Sequence, residues 1–191
     1  VGGKGGGGAK LSSEGQRVLR LYQKLQALQA QVLEAAEDAS DLDLLGRLML
    51  RTSARNQLHG KVVAINAQGR NVLIRLELAE GLCLDAQITH DSTVHLELQT
   101  GSQVVALIKA GWLELLASDQ PATPGHNHLK GTIEVILDAD DGPSEVRISL
   151  PNGHTLCALA EPQDMRSRGL AVGQPVHVQF SPSNVLLGTS L

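Results

Sequence analysis

The segment from Thr52 to Ala110 recurs, degraded, along the rest of the 191-residue chain, and this duplication restricts the possible folds more than any other feature. Adding 72 to Leu78, Gly81, Leu84, Ala86, Leu98, Gly101 and Val104 gives Leu150, Gly153, Leu156, Ala158, Leu170, Gly173 and Val176. At the front of the copies the offset is 71, since Leu58, Gly60 and Val62 correspond to Leu129, Gly131 and Ile133. One residue was inserted between. Matched apolar and glycine positions preserve one fold twice, so the chain reads as two small modules behind an N-terminal segment.

Within copy one, Val72, Ile74, Leu76 and Leu78 alternate with Asn71, Arg75 and Glu77, as in a strand with one buried face, and copy two repeats this with Val146, Ile148 and Leu150. Each copy then offers a third strand, a short polar turn (His90 to Leu98, or Pro162 to Leu170) and two further strands. Five short strands per copy predict a small OB-like barrel, an arrangement that removes exposed strand edges. Turn residues at Pro151-Asn152-Gly153 carry a hairpin signal. With 2% aromatic residues, the cores are aliphatic.

The N-terminal segment differs. Val1 to Ala9 holds six glycines, a composition with no preferred backbone conformation. Ser13, with Gln16 three residues on, predicts a helix N-cap, and Val18, Leu21, Leu25, Leu28, Val32 and Ala35 form a heptad-like stripe suited either to a second copy of itself or to its own domain. Ser40 opens a short second helix through Leu44, Leu45 and Leu48. The expected fold is mainly β with an N-terminal α segment: tandem five-stranded OB-like barrels preceded by an amphipathic linker helix. Its divisions are 1–10 glycine-rich, 11–50 helical, 51–117 first module, 118–127 linker with Pro121 and Pro124, and 128–191 second module.

Function lies where the copies disagree. Ser53, Arg55, Thr89, Ser92 and Lys109 become Pro124, His126, Glu161, Asp164 and Ser181, so two cations and three hydroxyls stand against two carboxylates. A tetrahedral dianion taken out of water needs compensating cations and neutral donors. Arg55 and Lys109 supply charge, while Ser53, Thr89, Ser92 and the backbone amides of Arg55 or Ala110 supply donors. The first strand, the turn after the third and the end of the fourth are expected to converge at one rim. Taken singly, each residue reads as ordinary surface.

Thr52-Ser53-Ala54-Arg55-Asn56-Gln57, followed by Gly60, Ile88-Thr89, Ser92 and Ile108-Lys109-Ala110, resembles the molybdate-binding Mop form of the TOBE domain. Two such domains behind a heptad-like helix and a glycine-rich lead resemble the C-terminal region of the ModE family of molybdate-dependent transcriptional regulators. That resemblance implies a cytoplasmic homodimer binding molybdate or tungstate at subunit interfaces, with the oxyanion as effector. Transferred residue by residue, it implies ligands Ser53, Arg55, Thr89, Ser92, Lys109 and Ala110, with copy two completing the fold. The glycine-rich lead resembles the wing of the family's winged helix-turn-helix domain. Most of that domain would then be absent, and operator DNA would be contacted only through it. The chain begins with Val1 rather than Met, as a fragment or processed product would.

Other classes fit less well. A net charge of −4 lacks the basic footprint of a nucleic-acid groove binder. No apolar run approaches the roughly 18 residues of a membrane span. Cys83 and Cys157 have no CxxC spacing, as in a reducing cytosol. The seven histidines lack metal-ligand spacing apart from His126 and His128, which read as a solvated turn, so no metal is expected. No nucleophile elbow or triad order marks an enzyme, and no P-loop marks a transporter ATPase. A molybdate storage protein of the di-Mop type is the competing reading, and the helix from Ser13 to Ala36 is superfluous for that role.

Overall fold

The computed structural model describes residues 12–35, 52–151 and 153–189, of which 29–35 by their backbone alone. Two compact units divide the chain at Leu50/Arg51. In the first, helix α1 (Ser13–Ala35) is capped one residue earlier than expected: the Gly15 amide donates to Ser12 Oγ at 3.1 Å, so Ser12 rather than Ser13 is the N-cap. Val18, Leu21, Leu25 and Leu28 are all exposed. The glycine-rich lead and the second helix expected near Ser40 lie outside the described residues.

Among the described residues the second unit holds ten strands. In chain order these are β1 (Asn56–Gln68), β2 (Asn71–Ala79), β3 (Leu82–Thr89), helix α2 (His90–His95), β4 (Gln103–Ile108), a 3-10 turn (Ala110–Trp112) and β5 (Glu114–Ala117). The second copy repeats the order: β6 (Asn127–Leu137), β7 (Ser144–Ser149), β8 (Thr155–Ala160), α3 (Pro162–Ser167), β9 (Pro175–Phe180), a 3-10 turn (Pro182–Asn184) and β10 (Leu186–Gly188). Inward positions match between copies, as the duplication requires: Leu58 with Leu129, Val62 with Ile133, Ile74 with Val146, Leu84 with Leu156 and Val104 with Val176 are all buried. The expected polar turns after the third strands are single helical turns, α2 and α3.

Each copy contributes five strands, yet neither completes its own sheet. The sheet orders are β10-β4-β1-β2-β3 and β5-β9-β6-β7-β8, so the last strand of each copy is exchanged into the other. Leu186 pairs with Leu107, and Glu114 pairs with Gln179. The 3-10 turns that lead into the exchanged strands pack against β8 and β3 of the opposite copy.

A second reciprocal tie reinforces the exchange. Asn56 is 2% exposed and Asn127 6% exposed, at matching positions of the two copies. The Cys157 amide donates to Asn56 Oδ1 at 2.7 Å, and Asn56 Nδ2 donates to the Cys157 carbonyl at 2.8 Å and the Ile108 carbonyl at 3.1 Å. In mirror fashion the Asp85 amide donates to Asn127 Oδ1 at 2.6 Å, and Asn127 Nδ2 donates to the Asp85 carbonyl at 2.7 Å. A carboxamide carries one acceptor and one donor group, as a peptide does, so each asparagine acts as a one-residue strand on the outer edge of β8 or β3. Both edge strands thereby gain partners.

Gly60 and Gly131 mark where β1 and β6 press closest on their neighbours: a Cβ at Gly131 would lie 2.5 Å from Ile148 Cγ2. After α2, Glu97 takes a left-handed φ of 50°, where copy two has Gly169 at φ 64°.

Two outcomes follow for stability. Asn56→Ala strands the Cys157 and Ile108 groups in a buried setting, and costs roughly 2–4 kcal/mol in urea denaturation; an unchanged midpoint would rule out the edge tie. Glu97→Gly relieves a left-handed side-chain residue, and raises stability by about 0.5–1 kcal/mol net of the extra freedom glycine has when unfolded.

Candidate functional site

The segment before β1 sorts its residues by alternation. Thr52 Oγ1 accepts from the Ala54 amide at 3.2 Å, and Ala54 and Asn56 turn inward while Ser53 and Arg55 face solvent. Asn56 pairs with Ile108, so Arg55 and Lys109 extend from adjacent strand ends. Two cations thus meet at one rim, beside the buried Ala110. Lys109 is the extended residue that opens the 3-10 turn, and its Nζ lies 5.0 Å from the centroid of the Trp112 ring.

Thr89 and Ser92 form a separate pair. Thr89 caps α2, accepting from the Ser92 amide at 3.1 Å, and its Oγ1 lies 2.9 Å from Ser92 Oγ. Thr89 pairs with Asn71, and Asn71 with Gln68, which is the end of β1 opposite Asn56. The 13 residues of β1 therefore separate the hydroxyl pair from the cations along the sheet, about 40 Å of strand contour at about 3.3 Å per residue. Convergence of all six residues on one rim, expected from the order of the strands, is not what the strand pairings show: Ser53, Arg55, Lys109 and Ala110 lie at one end of the sheet, and Thr89 and Ser92 at the other.

The second copy contributes a residue with no counterpart in that expectation. Glu145, on β7, lies 3.2 Å from Arg55 Nη2 and 3.1 Å from Arg147 Nε through the same Oε1 atom. The hydrogen bond from Arg147 and the charge of Arg55 hold the Glu145 carboxyl below its ordinary range, against the opposing effect of burial. Glu145 is 90 residues from Arg55 in the chain, and no spacing rule marks the pair.

A hollow of about 350 Å³ lies next to the Lys109 turn, bounded by Gly111, Glu114, Glu161, Asp164 and Arg168. It suits an anion poorly, because three carboxylates line it and the Arg168 guanidinium is engaged by Glu114 and the Leu115 carbonyl. Where copy one has Lys109, Ser181 accepts from the Ser183 amide at 3.3 Å and caps its own turn.

Residues 52–115 and 123–187 each match the TOBE domain family. The chain belongs to that family. It is 36% identical over 195 residues to the transcriptional regulator ModE of Yersinia pestis, covering 99% of this chain and 74% of that protein. It is 34% identical over 196 residues to the DNA-binding transcriptional dual regulator ModE of Escherichia coli K12, with the same coverage of 99% and 74%. The molybdenum-pterin-binding protein MopB of Rhodobacter capsulatus is 33% identical over 190 residues, covering 97% of this chain and 70% of MopB. A crystal structure of the cytoplasmic molybdate-binding protein ModG with molybdate bound superposes with TM-score 0.70 at 30% identity, covering 74% of this chain and all of ModG. These relatives are named as transcriptional regulators and as molybdenum- or molybdate-binding proteins.

Among the described residues no three His, Cys, Asp or Glu side chains gather as a metal site would require. The His128 and His177 rings meet edge to face at 4.5 Å in the second sheet, with His128 Nε2 and His177 Nδ1 buried and unpartnered. Burial first, then the charges of His128 and Lys130, push the His177 imidazole below its ordinary value of 6.5. Among the described residues no helix is long and apolar enough to cross a membrane.

A lowered imidazole pKa means that the unfolded chain takes up the proton first. Stability is therefore complete above about pH 6.5 and falls as pH drops toward the folded-state value. His177→Val, which copies Val105 of the first TOBE copy, should lose less stability than the wild type when urea midpoints at pH 7.5 and 5.5 are compared; equal losses would show that His177 does not contribute.

Proposed function

We propose that the chain is the effector region of a transcription regulator that binds molybdate or tungstate in the cytoplasm as a homodimer, in control of molybdate uptake and other molybdenum-related genes. The observation that carries the reading is the meeting of Arg55 and Lys109 at paired strand ends, in the copy that also keeps the Thr89–Ser92 pair. The matching positions of copy two hold His126, Ser181, Glu161 and Asp164. Only the first copy offers a dianion both charge and neutral donors. The ModE relatives are named as transcriptional regulators and ModG as a molybdate-binding protein, which supports the same ligand class here.

In this proposal the site is shared between subunits. One chain supplies Ser53, Arg55, Lys109 and the Ala110 amide, and the first copy of a second chain supplies Thr89 and Ser92, which β1 keeps far from the cations along their own sheet. Sharing couples the anion to the dimer, since a ligand that bridges two chains stabilises whichever arrangement closes around it. The exposed stripe Val18, Leu21, Leu25 and Leu28 on α1 supplies a surface through which that arrangement is passed to a DNA-binding domain. Operator DNA is contacted by that domain rather than by the barrels, whose chain carries a net charge of −4. Storage of molybdate is the second reading, compatible with the likeness over the barrel region to ModG, which is named as a molybdate-binding protein; α1 is what storage leaves unexplained.

Arg55→Ala and Lys109→Ala each leave a covered dianion short of one charge-assisted partner, at a cost of roughly 2–5 kcal/mol in molybdate binding. Calorimetric titration checks this, with sulfate as the comparison anion and with the fold intact by thermal midpoint. Wild-type affinity in both variants would remove the rim from the site.

A further inference from the structure

We propose that Glu145 is a latch: its carboxylate competes with the oxyanion for Arg55, and so sets the affinity of the site. The inference rests on the molybdate reading above and adds a residue from the second copy to it. Glu145 Oε1 reaches Arg55 Nη2 at 3.2 Å across the junction between copies, and Arg147 Nε, on its own strand, at 3.1 Å. A carboxylate on Arg55 presents the same charge and the same kind of acceptor oxygen as a tetrahedral oxyanion, so the two are alternatives for one guanidinium face.

Arg147 makes the exchange cheap. When an oxyanion takes Arg55, Glu145 keeps its bond to Arg147, and no half-buried carboxylate is left without a cation. The Arg55 side chain is 57% exposed and that of Glu145 20% exposed, so the pair is screened and weak enough to be displaced. Its strength subtracts directly from the oxyanion's gain, because the anion must first open the pair. Removing Arg147 has the reverse effect: Glu145 then has Arg55 as its one cation and holds it more firmly.

The test is calorimetric titration of the full chain with molybdate, comparing wild type, Glu145→Gln, Glu145→Asp and Arg147→Ala, with thermal midpoints as the check on folding. Aspartate keeps the charge but is shorter by one methylene, about 1.5 Å, and no longer spans the junction. The latch predicts that Glu145→Gln and Glu145→Asp both tighten binding, by about two- to fivefold, the range an exposed ion pair supports, and that Arg147→Ala weakens it. Tightening in Glu145→Gln alone would reduce the effect to a change in local charge and overturn the latch. Weaker binding in either Glu145 variant would make that residue a support for Arg55, which also overturns it. No molybdate binding by the wild type would remove the site reading itself, whereas unchanged affinity across the variants would remove the latch and leave that reading standing.

Discussion

The TOBE pair depends on a reciprocal exchange of backbone partners between its two copies. β5 leaves the first copy to become an edge of the second sheet, β10 returns the other way, and Asn56 and Asn127 fasten the start of each copy to the outer edge of the other's third strand. Each of these ties satisfies main-chain groups that would otherwise lie on a half-buried edge with no partner. Neither copy is a complete barrel alone. The duplication is thus kept as a matched pair in which each half supplies what the other lacks, and not as two independent domains on a string.

Such mutual dependence lets one copy change its surface without losing its purpose. The second copy retains the buried residues Leu129, Ile133, Val146 and Val176, which form the core face of the second sheet. Its outward positions have drifted to His126, Glu161, Asp164 and Ser181, and Ser181 now caps its own turn. Because the exchange brings the start of copy one against β7 and β8, a residue of the drifted copy, Glu145, stands next to Arg55. The junction therefore joins the cationic rim to the copy that has no Arg or Lys at the matching positions.

Much of this fold is legible in the sequence, because burial writes itself as periodicity. Val72, Ile74 and Leu76 are buried at every second position as strand geometry demands, and the change of offset from 71 to 72 falls in the first hairpin turn of each copy, beyond a register shift present in both after Val62 and after Ile133. The exchange of β5 and β10 is not legible: a strand's alternation says which face is buried and not which neighbour lies beside it. Asn56 and Asn127 held a signal, a polar residue matched at the head of each copy, which pattern reading alone assigns to surface. Ser12 and Ser13 are adjacent capping residues, and only backbone geometry chooses Ser12. Of the residues singled out for chemistry, Arg55 and Lys109 meet because their strands are hydrogen-bonded neighbours. Thr89 and Ser92 pair with each other because they cap one helical turn. Their separation from the cations follows from the antiparallel order of β1, β2 and β3, and Glu145 was hidden by its distance along the chain.

In the shared site proposed above, one oxyanion is held by the cationic rim of one chain and the hydroxyl pair of another. Tungsten scatters anomalously, so a crystal of the chain grown with tungstate would locate the ion directly. A shared site places an anomalous peak within hydrogen-bond reach of Arg55, Lys109 and the Ala110 amide of one chain and of Thr89 and Ser92 of a second. A peak beside Glu161 and Asp164, or one enclosed by a single chain away from Arg55, would contradict it.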